Sequence, residues 1–319
     1  MKNSFRIGRV GGVEIGANWT WPLVLALLVW SLGGVVFPST NPGLPSGAYS
    51  AMGLAAALLF FASIVLHELG HARQARREGM EVSGITLWAL GGVARFTGMF
   101  PSASAELRIA LAGPLVSLLL GLGFVALAAL LQPGSAVDGV IAWLGYINLL
   151  LLAFNLIPAL PMDGGRVLRA LLWRARGDLA WATSIAAGVG SALGAAMVAL
   201  GVISAVAWRA SGGLWLAFIG VFVMSAARAE AQTVALRTAL AGLHVRDAMS
   251  FEAGGAPPPP AEMPQVDPDA DLATSAAAVL QAGTTTAAVV RDGRVVGFLD
   301  VADVLRRGRG GRPATVAGS

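Results

Sequence analysis

The chain has 319 residues, of which 56% are hydrophobic and only 13% charged, and its mean hydropathy is +0.71. Soluble domains carry about 25% charged residues, so this balance points to an integral membrane protein. There is no cysteine, which excludes disulfides, thiolate metal sites and cysteine nucleophiles; the net charge of +4 includes no basic run interleaved with stacking aromatics, so no nucleic-acid partner is expected.

Residues 1–18 hold Lys2, Arg6 and Arg9 but no sizeable apolar core, and they read as a cytoplasmic segment rather than a cleavable signal peptide. Six apolar stretches follow, at 19–37, 51–72, 107–131, 139–157, 183–207 and 213–227. Each is long enough, or nearly so, for a helix crossing about 30 Å of hydrocarbon. The fold class is therefore an α-helical polytopic membrane protein with about six transmembrane helices, built on residues 19–230. Charge alternates between the connections. Arg73, Arg76, Arg77, Arg95 and Arg108 follow the second span, Arg166, Arg169, Arg174 and Arg176 the fourth, and Arg228, Arg237 and Arg246 the sixth. Residues 38–50 carry no charge, and the loop after the third span holds only Asp138. The positive-inside rule then gives a multi-pass protein of the plasma membrane with both termini cytoplasmic.

Between spans two and three, residues 81–98 carry Ile85, Leu87, Trp88, Leu90, Val93 and Phe96 around a Gly91-Gly92 break. This pattern reads as a membrane-associated β-hairpin, which must pack on protein or line a cavity because unpaired backbone is not tolerated in lipid. Small residues within the spans, among them Gly188, Gly190, Gly194 and Gly201, read as close helix packing.

The second span ends in His67-Glu68-Leu69-Gly70-His71. Imidazoles at i and i+4 share one helix face and can hold a zinc ion, while the adjacent carboxylate can act as general base on metal-bound water. Two histidines and a glutamate closing a membrane span are costly there unless they serve a purpose. A catalytic zinc takes three protein ligands, and the one other histidine, His244, lies beyond the last span. Asp163 is the favoured third ligand. It sits in Asn155-Leu-Ile-Pro158-Ala-Leu-Pro161-Met-Asp163-Gly164-Gly165, where two prolines break the fourth helix and two glycines permit a tight turn. Taken alone, Asp163 reads more readily as the cap of a helix starting near Arg166; beside a two-histidine motif that lacks a ligand, zinc is favoured.

These motifs together resemble the site-2 protease family of intramembrane zinc metalloproteases. The resemblance spans residues 15–227 and rests on His67-Glu-Leu-Gly-His71 with Ala75, Arg76 and Gly79, on the Gly91-Gly92 hairpin, on Ala112-Gly-Pro114, and on the Asn155 to Gly164 run. It implies that His67, His71 and Asp163 bind one zinc ion, that Glu68 is the catalytic base, and that Asn155 positions substrate or stabilises the oxyanion. Ser117 stands where many relatives carry Asn. The implied substrate is the transmembrane helix of a single-span protein, such as an anti-sigma factor or membrane-bound transcription factor, cut in regulated intramembrane proteolysis. An extended substrate is expected to pair with the hairpin along its 85–90 edge.

Residues 231–264 form a helix and a linker containing the polyproline run 254–260. In 265–308 a helix at 270–282, a strand at 287–291, an Asp292-Gly293 turn, a strand at 295–299 and a helix from Val301 follow in order. With 245–249 as a leading segment, this resembles one CBS motif, making a small cytoplasmic α/β CBS-like domain. CBS motifs work in pairs, so a homodimer is expected. The resemblance makes Asp303 a ribose-binding residue for an adenine nucleotide, but Asp300 stands where Thr or Ser usually meets phosphate and would repel one, so a structural role is favoured. Residues 309–319 read as a disordered tail. The alternatives are a transporter with a regulatory CBS tail, which predicts polar residues spread through several spans, and a metal-binding protein without catalysis, against which Glu68 argues.

Overall fold

Among the described residues, six helices are long and apolar enough to cross a membrane: Thr20–Thr40, Ser46–Arg77, Ala103–Ala128, Ala136–Asn155, Leu179–Ala207 and Gly212–Ala235. They belong to a computed structural model that describes residues 5–88, 91–96, 98–207, 212–251 and 263–304. Two compact units divide the chain, Met1–Ala227 and Arg228–Ser319.

The first span is built from α1 (Thr20–Ser31), a π turn at Leu32–Val36 and α2 (Phe37–Thr40). It packs on α3 (Ser46–Arg77), where Gly33 and the Tyr49 carbonyl come too close for any side chain between them. With 32 residues, α3 is about 48 Å long, more than the hydrocarbon thickness, so its arginine-rich end projects beyond the apolar layer. Behind α3 run α4 (Ala103–Ala128) and α5 (Ala136–Asn155), followed by the shorter α6 (Asp163–Arg176), which is amphipathic rather than membrane-spanning. A buried ion pair fastens α6 to α4: Arg169 donates to Glu106 Oε1 from Nε at 2.7 Å and from Nη2 at 2.5 Å. The last two spans, α7 (Leu179–Ala207) and α8 (Gly212–Leu240), pack through Gly194 against the Gly220 carbonyl and Gly201 against the Gly213 carbonyl. Gly190 has a different neighbour, the Leu160 carbonyl in the loop before Asp163.

The sheet is larger than the hairpin expected from sequence. β1 (Phe5–Val10) and β2 (Val13–Ala17) form an N-terminal hairpin, with Gly11 and Gly12 both left-handed at φ +56° and +78°. β2 then pairs in parallel with β3 (Val82–Trp88), Ile15 opposite Ile85, and β3 pairs antiparallel with β4 (Gly91–Phe96). The order is β1-β2-β3-β4. Two consequences follow for the expected substrate edge. Over Ile85–Leu87 the strand is paired on both sides and offers no edge, residues 89–90 lie outside the described residues, and the open edge on this side is β4. The N-terminal strands escaped detection because their stabilising partner lies two helices away, and register at that range leaves no local periodicity.

In the second unit, β5 (Ser250–Phe251), β6 (Gln265–Val266), β7 (Thr286–Arg291) and β8 (Arg294–Asp300) make a sheet of order β5-β8-β7-β6, with α9 (Leu272–Gln281) against it. Its core joins Val245, Leu272, Val279, Val289 and Leu299. The Asp292-Gly293 turn has left-handed φ at both residues, as a tight β-hairpin requires. The polyproline run 254–260 and the tail 309–319 lie outside the described residues.

Candidate metal centre

Helical spacing alone puts His67 and His71 on one face of α3, and both are buried. What aims them is α4. The His71 Nδ1 lies 2.7 Å from the Ile109 carbonyl, and since a carbonyl only accepts, Nδ1 carries the proton and donates it. That fixes the tautomer and leaves the Nε2 lone pair free to ligate. His67 Nδ1 lies 2.8 Å from Ser117 Oγ, a hydroxyl that is itself fully buried. Each imidazole thus has its distal nitrogen engaged by α4 and its Nε2 turned inward.

Asp163 completes the cluster from the first turn of α6. The helix begins at Asp163 itself, with Met162 as its N-cap and no side-chain cap, so the capping alternative does not describe this carboxylate. Gly164 and Gly165 let the helix start directly under the preceding loop, because a Cβ at either would strike the backbone of residues 156–160. Asp163 Oδ2 lies 3.1 Å from His67 Nε2 and 3.2 Å from His71 Nε2, and the two Nε2 atoms are 3.1 Å apart.

A carboxylate oxygen and two imidazole nitrogens converging this closely make an arrangement that a bound cation would stabilise. Their separations approach the ligand–ligand edge of a tetrahedral zinc site, which at bonds of about 2.0–2.1 Å comes to about 3.3 Å. Gly113 of α4 passes directly over the cluster: a Cβ there would overlap His71 Nε2 and lie 2.7 Å from His67 Nε2. Donor set, spacing and this side-chain-free approach all fit one divalent ion of the zinc type, and the triad is the single metal-compatible group found among the described residues.

Glu68 sits one residue along α3 and points toward β4, whose Ala94 backbone N–H donates to Glu68 Oε2 at 3.1 Å. Gly92, also on β4, leaves the space its side chain needs, since a Cβ there would stand 2.8 Å from Glu68 Cγ. Neither contact was foreseen from sequence, although the Gly91-Gly92 break marked the right strand. Ile109 gave no signal, because its contribution is a backbone carbonyl. Asn155 ends α5, half-buried, and is not among the hydrogen-bond partners of the triad. In the second unit, Asp300 Oδ1 accepts from the backbone N–H groups of Ala302 at 2.8 Å and Asp303 at 3.3 Å, capping the turn that carries Asp303.

Outside the triad, one further arrangement ties this centre to the arginine-rich end of α3. Glu78, just past the helix, accepts from Arg108 of α4 in a two-pronged contact, 2.7 Å at each oxygen. The Arg108 hydrogen bonds hold the Glu78 carboxyl down at about 2, against a smaller opposing effect of burial.

Comparison with known proteins places these features in context. The model of Peptidase family M50 matches residues 55–140 and 132–200. Rip3 of Mycobacterium tuberculosis is 40% identical over 260 residues, covering 81% of this chain and 66% of its own length. The zinc metalloprotease MJ0392 of Methanocaldococcus jannaschii is 30% identical over 307 residues, 96% of this chain and 81% of that protein. A solved site-2 protease from Methanocaldococcus jannaschii aligns with 71% of this chain and 94% of its own at 30% identity, with a TM-score of 0.49. The chain spans just under two thirds of the length of its mycobacterial relative.

Proposed function

The chain belongs to peptidase family M50, and we propose that it is an intramembrane zinc endopeptidase that hydrolyses peptide bonds within or near the transmembrane segments of membrane-bound regulators. The observation that carries this reading is the meeting of His67 Nε2, His71 Nε2 and Asp163 Oδ2 within 3.2 Å of one another, beside Glu68 on a membrane-spanning helix.

His67, His71 and Asp163 hold the metal, which when bound supplies Lewis acidity toward a peptide carbonyl and brings the pKa of coordinated water toward neutrality. Glu68 takes the proton of the attacking water and returns it to the leaving amine. Ile109 and Ser117 keep both imidazoles in the ligating orientation. Asn155, eight positions before Asp163, is the candidate for orienting the substrate or stabilising the developing oxyanion.

The substrate is a single-span protein, of the kind exemplified by an anti-sigma factor or membrane-bound transcription factor. Its cleaved segment must unwind, since a helical peptide bond is shielded by its own hydrogen bonds. Once extended it adds to the open edge of β4, and the outward N–H of Ala94 brings that edge to Glu68. The arginine-rich connections face the cytoplasm, which puts both termini there. The CBS-like segment pairs with that of a second copy, a homodimer that mass measurement in detergent reads directly, and nucleotide binding at Asp303 is the less favoured role.

The decisive comparison is Glu68→Gln against the unaltered protein on a model transmembrane substrate. Cleavage is expected to fall by about 10²- to 10⁴-fold with zinc content unchanged. Equal cleavage by the two proteins would overturn the assignment.

A further inference from the structure

A cleft of 450 Å³ opens at the arginine-rich end of α3, between that helix and the turn of the β1–β2 hairpin. Its walls are of two kinds. Val10, Val13 and Leu69 are apolar, whereas Arg73 and Arg77 are exposed guanidinium groups with no ion-pair partner among the described residues. Arg76 has a separate task, donating to the Gly11 carbonyl at 2.5 Å and the Gly12 carbonyl at 3.1 Å, and so fixes the far wall. No carboxylate lines the cleft.

The order of these groups along α3 is informative. Leu69, Arg73 and Arg77 recur every four residues, so they form one stripe with steps of about 6 Å along the helix. Leu69 adjoins Glu68 and therefore lies toward the apolar layer, while Arg77 ends the helix. Leu69 toward the membrane side and two cations toward the aqueous side follow the layout of a phospholipid at its headgroup. Charge asymmetry between loops explains why arginines occur at this end of the helix. It does not require that two of them stay unpaired over a cleft with an aliphatic wall.

We propose that this cleft binds the phosphodiester headgroup of an anionic phospholipid, with Arg73 and Arg77 on the phosphate, Leu69 against the start of an acyl chain and Val10 on the facing hairpin turn. Arg–phosphate contacts of this kind are multidentate and charge-assisted, which selects an anionic lipid over a zwitterionic one. The bound lipid spans α3 and the β1–β2 turn, and it thereby cements the sheet to the helix that bears His67, Glu68 and His71. This site is independent of the metal chemistry: its occupancy does not depend on whether the protein cleaves peptides.

Native mass spectrometry of the full chain in dodecyl maltoside tests the proposal, with phosphatidylglycerol, phosphatidylcholine or inorganic phosphate added separately. One phosphatidylglycerol per chain should be retained in preference to phosphatidylcholine. In R73Q/R77Q the retention should drop about tenfold or more, as expected for two cationic groups removed from an anionic ligand. R73K/R77K should keep most of it, and R166Q/R174Q, with the same change in charge elsewhere, should keep all of it. An unchanged unfolding temperature of R73Q/R77Q in lipid-free detergent establishes that the fold is intact. Equal retention by the unaltered protein and R73Q/R77Q, or equal losses in R73Q/R77Q and R166Q/R174Q, overturns the site. Displacement of the lipid by inorganic phosphate at equal concentration overturns the lipid assignment in favour of a soluble anion.

Discussion

A methyl group on Gly113 would overlap the His71 Nε2 atom. Gly113→Ala is therefore expected to abolish stoichiometric zinc binding, measured by elemental analysis of the purified protein. Gly123, on the same helix, has open space where its Cβ would be, so Gly123→Ala should retain zinc. Comparable loss in both variants would show that α4 is intolerant in general and that the close approach to His71 is not the cause.

Ser117→Ala removes the partner of His67 Nδ1 and leaves the other ligands in place. Zinc affinity, read by competition with a chelator, should weaken by about 10- to 100-fold, the range usual for the loss of a hydrogen bond that orients a metal ligand.

The two strands nearest Glu68 predict opposite phenotypes for proline. At Ala94, on the edge strand, the N–H donates to Glu68, so Ala94→Pro should leave the sheet and the zinc intact and slow cleavage by about tenfold or more. At Ile85, between two hydrogen-bonded neighbours, proline should lower the unfolding temperature and zinc occupancy together. A slowed Ile85→Pro protein with unaltered stability would contradict the inner position of β3.

Arg169→Met strands the Glu106 carboxylate, whose side chain is 0% exposed. Breaking a buried pair on one side costs about 3–5 kcal/mol, whereas replacing both partners by apolar groups is often neutral. Unfolding in detergent should show a large loss for Arg169→Met and substantial recovery in the double variant with Glu106→Leu. Because the pair joins α4 to the helix that starts at Asp163, zinc occupancy should follow the same order.

The Glu78–Arg108 contact carries a pH signature. A carboxyl whose folded pKa is lowered, here to about 2 from an ordinary 4.5, stabilises the folded state fully above pH 4.5. That contribution is lost as the pH falls from 4.5 through about 2. The unfolding temperature of the unaltered protein should thus decline more steeply across this range than that of Arg108→Gln, and the difference should shrink in high salt because Arg108 is exposed.

Much of the candidate metal centre was legible because its parts are local. His67, Glu68 and His71 sit within one helical turn and a fraction, and Asp163 was marked by its own prolines and glycines, so period and composition sufficed. The supports were not legible for a physical reason. Ile109 acts through a carbonyl, which every residue possesses, and Gly113 acts by lacking a side chain, which glycines do for many reasons. The Glu68–Ala94 contact depends on strand register, and the β2–β3 pairing joins residues separated by two helices. Such relations belong to tertiary packing, and no window on the sequence contains both partners.

The parallel pairing of β2 with β3 bears on how the chain is threaded through the bilayer. Hydrogen-bonded strands must lie on one side of the membrane, yet Ala17 precedes the first span and Val82 follows the second. The two helices between them must consequently make an outward and a return crossing, an even count imposed by backbone bonds rather than by charge. A chain with only one of the two helices across could not close this sheet. It would leave the β3 backbone unpaired on that side and Glu68 without a properly seated neighbour. Closing the sheet, and with it the contact between Ala94 and Glu68, therefore requires that the first two spans either both cross or both fail to cross.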